Sequence, residues 1–308
     1  MTARGWRWVW WFVALVGAGL ALKFFTGFPW RVTFAALLGA NPWLLAVAFV
    51  ANLSSLVAKG WGWHVILKPV APHSWRHAQE ANLVGAAVND LSVAVAGEAA
   101  RVHVIAQRAG VPIAAAVSSV VWTRLAEALA LAVFLVMAPS LLALEPWLRV
   151  LQVGVGLALV VVLLLAWARG WSWLAEQLPP ALGARLAVLR TMGRGGRLVL
   201  PTVFALYNWA TQWATYHLVL RATHVPVSLA ASFTALIAAN LSGLFRPTPA
   251  NVGVTQAALV VGLLPFGVAP EQAVAAGLAL QGLQVLPVLC LGAMVTGWRF
   301  LTLESELA

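Results

Sequence analysis

Arg124 and Glu127 stand three residues apart at the centre of a long apolar run. That spacing puts two side chains on one face of a helix. A guanidinium placed inside a hydrocarbon layer costs about 2.5–3.5 kcal/mol on insertion scales, so the pair needs a reason to be there. Two reasons fit. The pair neutralises itself and fixes packing, or Arg124 faces a polar cavity and holds an anionic group such as a lipid phosphate, which a guanidinium fork matches with two parallel hydrogen bonds. Glu98 and Arg101 follow Gly97 at a break in the apolar pattern. Glu98 reads as a helix-start carboxylate favoured by the dipole, as a partner of Arg124, or as a gate at an entrance. Arg246, flanked by Pro247 and Pro249, marks a second break, where the prolines force a non-helical turn. Asn251 and Gly253 there let the backbone approach another group closely, in a structural turn or in a binding loop. Asn240, Gln256 and Gln281 complete the candidate substrate-binding set.

Other chemistries find less support. Asp90 is the sole aspartate, so paired aspartates around magnesium are excluded. No G-x-S-x-G elbow and no G-x-x-x-x-G-K loop occurs. His64, His103, His217 and His224 lack metal-ligand spacing, so neither a metal nor a cofactor is expected, and the chain does not read as an enzyme. Asn208, Thr211, Gln212 and Thr215 recur every three or four residues and form a polar stripe, either for interhelical hydrogen bonds or for lining a cavity.

The elements that must position these residues are helices in lipid. The chain is 62% hydrophobic and 9% charged, with a mean hydropathy of +0.89. That leaves too little polar surface for a water-soluble globule. The net charge of +10 falls in the gaps between apolar runs, where it serves topology and anionic headgroups rather than nucleic acid. Many of the 17 tryptophans, Trp43, Trp61 and Trp63 among them, lie near run ends and suit interfacial belts. The single cysteine, Cys290, excludes an intramolecular disulfide. The fold class expected is an all-α polytopic membrane protein in one transmembrane domain, residues 1–308. About six full spans are expected near 8–22, 43–67, 112–138, 147–168, 198–220 and 270–296. The first reads as a retained span rather than a cleaved signal peptide, and Lys59 would snorkel from the second to the interface. Two broken or re-entrant helical hairpins complete the set. In the first, kinked around Ser92 to Gly97, the apolar part from Ala81 to Ala96 would rise only ~24 Å against a core of about 30 Å. The second has legs near 228–244 and 254–266.

The hairpins belong to an internal repeat, with copies at about 43–138 and 198–297. Asn82-Leu83-Val84-Gly85 returns as Asn240-Leu241-Ser242-Gly243. Gly97 returns as Gly253, Gly110 as Gly267, Arg124 as Gln281 and Glu127 as Gln284, all at a nearly constant offset. With both termini cytoplasmic, Lys23, Arg31, Arg149, Arg221 and Arg246 fall outside. Apart from Lys59 and Arg124, every other lysine and arginine falls inside, as the positive-inside rule requires. The copies are then inverted, the arrangement by which many transporters build alternating access around a midplane site.

With Gly97-Glu98, Arg101, Arg124 with Glu127, Pro247-Thr248-Pro249 to Gly253 and Gly267-Val268, nearly the whole chain resembles the lysylphosphatidylglycerol synthase transmembrane region, a flippase-like family that includes YbhN-like membrane proteins. The family tends to carry a proline and an arginine where Val93 and Val95 stand, and paired glycines where Ala250 and Asn251 stand. It tends to carry a glutamate at Gln256 and an arginine at Gln281. The resemblance implies movement of a phospholipid or other lipid headgroup between leaflets of a bacterial inner membrane. The partner would be an anionic or aminoacylated phospholipid, or another lipid-linked substrate, with a homo-oligomer left open. The soluble aminoacyl-transfer domain of those proteins is not expected in a chain that stops at Ala308. A small-solute permease and a non-transporting partner of an envelope enzyme are the alternatives.

Overall fold

The computed structural model describes residues 27–92, 96–137, 197–243 and 248–307, with positions 150, 153–154, 156–161 and 164 between them. The expected first span, about half of the expected fourth and most of the basic central loop lie outside the described residues. The rest is helix and short connections, and no strand occurs among the described residues.

Helices α1 (Trp30–Leu38) and α2 (Pro42–Leu67) open the described chain. Asn41 starts α2 by accepting the Trp43 and Leu44 amides, and Pro42 sits where a missing N–H costs nothing. Next come α3 (Trp75–Leu91), α4 (Ala96–Ala109) and α5 (Ile113–Met137). The order then recurs as α6 (Val199–Ala222), α7 (Leu229–Ser242), α8 (Val254–Leu263) and α9 (Pro270–Leu307). Corresponding helices begin alike: Ser74 caps α3 through the His77 amide, and Ser228 caps α7 through the Ala231 amide. The break of the first hairpin falls between Leu91 and Ala96, as the sequence predicts. In the second, a short 3₁₀ turn (Pro249–Asn251) precedes α8, with Ala250, Asn251 and Gly253 all at positive φ.

Segments Pro42–Leu67, Ile113–Val136 and Pro270–Gly297 are long and apolar enough to cross a membrane. So is Pro249–Phe266, which the sequence reading made a non-crossing hairpin leg. It is composite, however, with α8 supplying only 10 of its residues before a second 3₁₀ turn at Leu264–Phe266. The expected span at 198–220 forms the 24-residue α6, whose polar stripe keeps it out of that apolar set. The reason lies in its position. Helix α6 packs along α2 more extensively than any other helix pair and also touches α5, α7 and α9. Its polar side chains face protein. Ser55 donates to Asn208 Oδ1 at 2.8 Å, Gln212 Nε2 to Ser55 Oγ at 3.3 Å and Gln284 Nε2 to Gln212 Oε1 at 3.1 Å. Interhelical hydrogen bonding, one of the two accounts of the stripe, is met at Asn208 and Gln212, and Asn208 also lines a small chamber.

Two large apolar clusters form, one mainly from each copy, and a small third one joins Leu56 and Ala87 to Val288. Trp63, Leu67, Ala81, Ile105, Ala116 and Trp122 make the first, and Leu220, Leu236, Leu259, Leu263, Ala276 and Leu280 the second. Each hairpin also leans on the final helix of the other copy. α3 packs on α9, and Phe233 of α7 stacks on Phe134 of α5 with ring centroids 6.4 Å apart. Trp43, 80% exposed, suits an interfacial belt, but Trp63 does not. It is fully buried, donating from Nε1 to Ser119 Oγ at 2.7 Å, because the α2–α5 contact supplies both an apolar slot and an acceptor. Helix α9 continues past the expected last span to Leu307.

Two glycines set the first hairpin. A Cβ on Gly97 would strike the Gly85 carbonyl oxygen, and one on Gly85 would lie 2.8 Å from both Gly97 O and Arg101 Cβ. The obstacles include backbone, which cannot swing aside, so α3 and α4 cross this closely only without side chains. Gly97→Ala is therefore expected to destabilise by about 1–3 kcal/mol, the usual range for overpacking. Gly282→Ala, which meets nothing within 4 Å, should leave the unfolding temperature in detergent unchanged or higher.

Candidate functional site

The glycine crossing brings the first turns of α4 against the middle of α5. Glu98 and Arg101 project from α4 three residues apart, and Arg124 and Glu127 project from α5 at the same spacing. The four side chains meet. Arg124 donates from Nη1 to Glu127 Oε2 at 2.8 Å and from Nη2 to Glu98 Oε1. Glu98 Oε2 lies 3.5 Å from Arg101 Nη1, close enough for an ion pair. Arg101 is buried, with its guanidinium 3.9 Å from the centre of the Trp63 ring, a cation–π contact in a desolvated setting. The Arg124 side chain, in contrast, is 60% exposed while its two carboxylates are 28% and 24% exposed. Arg124 is thus held in an internal ion pair, the first of its two readings, while its side chain stands open on a membrane-length helix.

The matching place in the second copy holds amides. Gln256 Oε1 accepts the Gly253 amide at 2.8 Å and caps α8, while its Nε2 donates to Gln281 Oε1 at 2.7 Å. Gln281 Nε2 donates in turn to the Ala250 carbonyl at 2.7 Å. These bonds hold the left-handed turn at 250–253 against α9. Asn251 sits at that turn, its Nδ2 near Gly243 and its Oδ1 buried without a hydrogen bond among the described residues. Asn240 joins neither cluster, donating to Leu236 O of its own helix at 2.8 Å. Arg246 lies outside the described residues.

Sequence reasoning missed one member. Lys59 was expected to reach the interface, yet it is partly buried on α2 and lines a chamber of about 20 Å³ with Thr123, Glu127 and Asn208. It stands eight residues before Leu67, the last residue of α2. The argument that singled out Arg124, a bare cation well inside an apolar run, applies to Lys59 too. Apolar grooves flank α6 on both sides. One of about 310 Å³ runs between α5 and α6 past Leu125, Leu129 and Val203. The other, about 410 Å³, runs between α2 and α6 past Val57, Trp61 and Phe204.

The shared guanidinium makes a stability prediction. Arg124→Gln leaves Glu127 without its cation and Glu98 with Arg101 alone, at a site intermediate between exposed and buried. The expected loss is about 1–2 kcal/mol, between the values for exposed and buried pairs. Adding Glu127→Gln should recover most of it, whereas Glu98→Gln should recover none, because it takes the carboxylate from buried Arg101, as read from unfolding temperatures of the purified variants.

No curated protein matches this chain. The family model described as the lysylphosphatidylglycerol synthase TM region matches residues 9–292. That match spans both hairpins, the charged cluster and the amide cluster, and the chain belongs to the lysylphosphatidylglycerol synthase transmembrane-region family.

Proposed function

We propose that the protein is a flippase-like transporter of the bacterial inner membrane that moves an anionic or aminoacylated phospholipid headgroup between leaflets, without catalysing a covalent step. The observation that carries this reading is the open position of Arg124. It is a guanidinium at the middle of a membrane-length helix, held in place by two carboxylates yet more than half exposed. A permanent cation so placed offers hydrogen bonds to a phosphate that enters sideways from lipid. The headgroup would pass along the polar interior while its tails lie in the apolar grooves beside α6. Serine, asparagine and glutamine side chains shared by α2, α6 and α9 extend the polar interior from the charged cluster toward the amide cluster.

Proteoliposomes with headgroup-labelled phosphatidylglycerol, its lysyl ester and phosphatidylethanolamine test the reading. Transbilayer movement of at least one lipid should exceed that in empty vesicles, and Arg124→Gln should lower it at least about tenfold, the factor that 1.4 kcal/mol represents. Movement equal to empty vesicles across the panel would favour a non-transporting partner. Full movement in folded Arg124→Gln would remove the binding role from that residue.

The orientation proposed here places both termini in the cytoplasm. In a Cys290→Ser background, Gly27→Cys should react with an impermeant maleimide added outside intact spheroplasts, and Pro72→Cys only after lysis. The opposite pattern would reverse the topology.

A further inference from the structure

Two histidines face each other where α2 gives way to α3. His64 is buried near the end of α2, and His73 lies in the connection, just before the Ser74 cap of α3. His64 Nδ1 stands 3.0 Å from His73 Nε2, and His73 Nδ1 stands 2.8 Å from the Ala71 carbonyl oxygen. A carbonyl only accepts, so His73 carries a proton on Nδ1. In the neutral ring its Nε2 is then the acceptor, and His64 must donate from its own Nδ1. The chain from His64 through His73 to Ala71 fixes both tautomers.

The same geometry limits the protons that the pair can hold. One added proton fits, because either ring can then donate across the gap to the other. A second sets two N–H groups and two positive charges head to head, with no acceptor between them. The surroundings do not answer that charge. Lys68, at the end of α2, acts on both rings, and His77 of α3 acts on His73. Glu80, the carboxylate one turn beyond His77, is committed to Arg76 at 3.0 Å and to Arg108 of α4 at 2.9 Å. Helix α6 faces this end of α2 with the uncharged Phe204. Burial, opposed by the Ala71 carbonyl and reinforced by His77 and Lys68, holds His73 below the ordinary histidine value. The unfolded chain therefore takes up protons first, near about pH 6.5. The stability that the pair contributes is complete above that pH and is lost as pH falls through the folded value of His73.

More than a loop depends on the pair. Trp61 packs edge-on to the His64 ring with centroids 5.7 Å apart, and it stacks on Trp75, the first residue of α3, at 5.2 Å. With Phe204 it lines the groove of about 410 Å³ between α2 and α6. We propose that His64 and His73 form an acid-sensitive latch, which holds the α2–α3 connection and the Trp61 wall of that groove and releases when both rings are protonated. On the orientation proposed above, the latch answers acid on the cytoplasmic side. It stands on this geometry alone, so its failure would leave the transport reading untouched.

The test is thermal unfolding of the full chain in detergent between about pH 7.5 and about pH 5.5, on either side of the ordinary histidine value. The wild type should lose unfolding temperature on acidification. His73→Gln keeps an acceptor for His64 but takes up no proton, and should lose less than about half as much. His77→Gln keeps the pair and should follow the wild type. Imidazole nitrogen NMR spectra probe the pair without a substitution. At neutral pH both rings should carry their proton on Nδ1, and on acidification they should titrate in two separate steps. The proposal is overturned if His73→Gln loses as much on acidification as the wild type does. Where that variant does not fold, it is overturned if the two rings titrate together near about pH 6.5, as independent histidines would.

Discussion

A charge inside a low-dielectric layer must be answered by another within a few ångströms, and that constraint shapes the first half of this molecule. Arg124 sits at the centre of a helix long enough to cross a membrane, so it draws a carboxylate from its own helix and a second from the start of α4. The second contact ties the break of the first hairpin to α5. It works only because α3 and α4 cross at glycines and bring Glu98 and Arg101 to the right depth. Removing the glycines would not remove a charge, yet it would separate the charges from their partners.

The second copy meets the equivalent geometric problem with neutral groups. Gln256 and Gln281 hydrogen-bond each other, a helix start and the carbonyl of a left-handed turn. An amide gives up far less hydration than an ion, so this solution is the less costly one. The two copies therefore share a framework and differ in electrostatics. One break is bound by ions and the other by amides.

Much of this was legible in the sequence, for reasons that differ by residue. The hairpin breaks announced themselves through Gly97 and through Pro247 to Gly253, because glycine and proline act on the local backbone. The Arg124–Glu127 pair followed from helical spacing alone. Glu98 as a partner of Arg124 was one option among three, since its choice depends on a contact between separate helices. Lys59 and Trp63 were misplaced for the same reason. Lysine and tryptophan near the end of an apolar run suit an interface, and only the packing of α2 on α4, α5 and α6 turns both of them inward. Asn240 misled in the opposite direction, because a landmark of the repeat spends its amide on its own helix. The polar stripe of α6 was visible, but its enclosure was not, and enclosure is what makes a weakly apolar helix suitable for the centre of the bundle.

Stability alone does not account for the first copy. Buried ion clusters contribute little net stability relative to well-packed or neutral substitutes, and the amide cluster shows that this framework accommodates a neutral alternative. If packing were the sole demand, an unpaired Lys59 and a half-satisfied Arg101 would be liabilities with a ready replacement. They persist beside an exposed Arg124, a polar chamber and two apolar grooves. The lipid proposed as guest is itself divided into an anionic head and apolar tails. The arrangement is suited to such a guest because the protein leaves its cations incompletely answered.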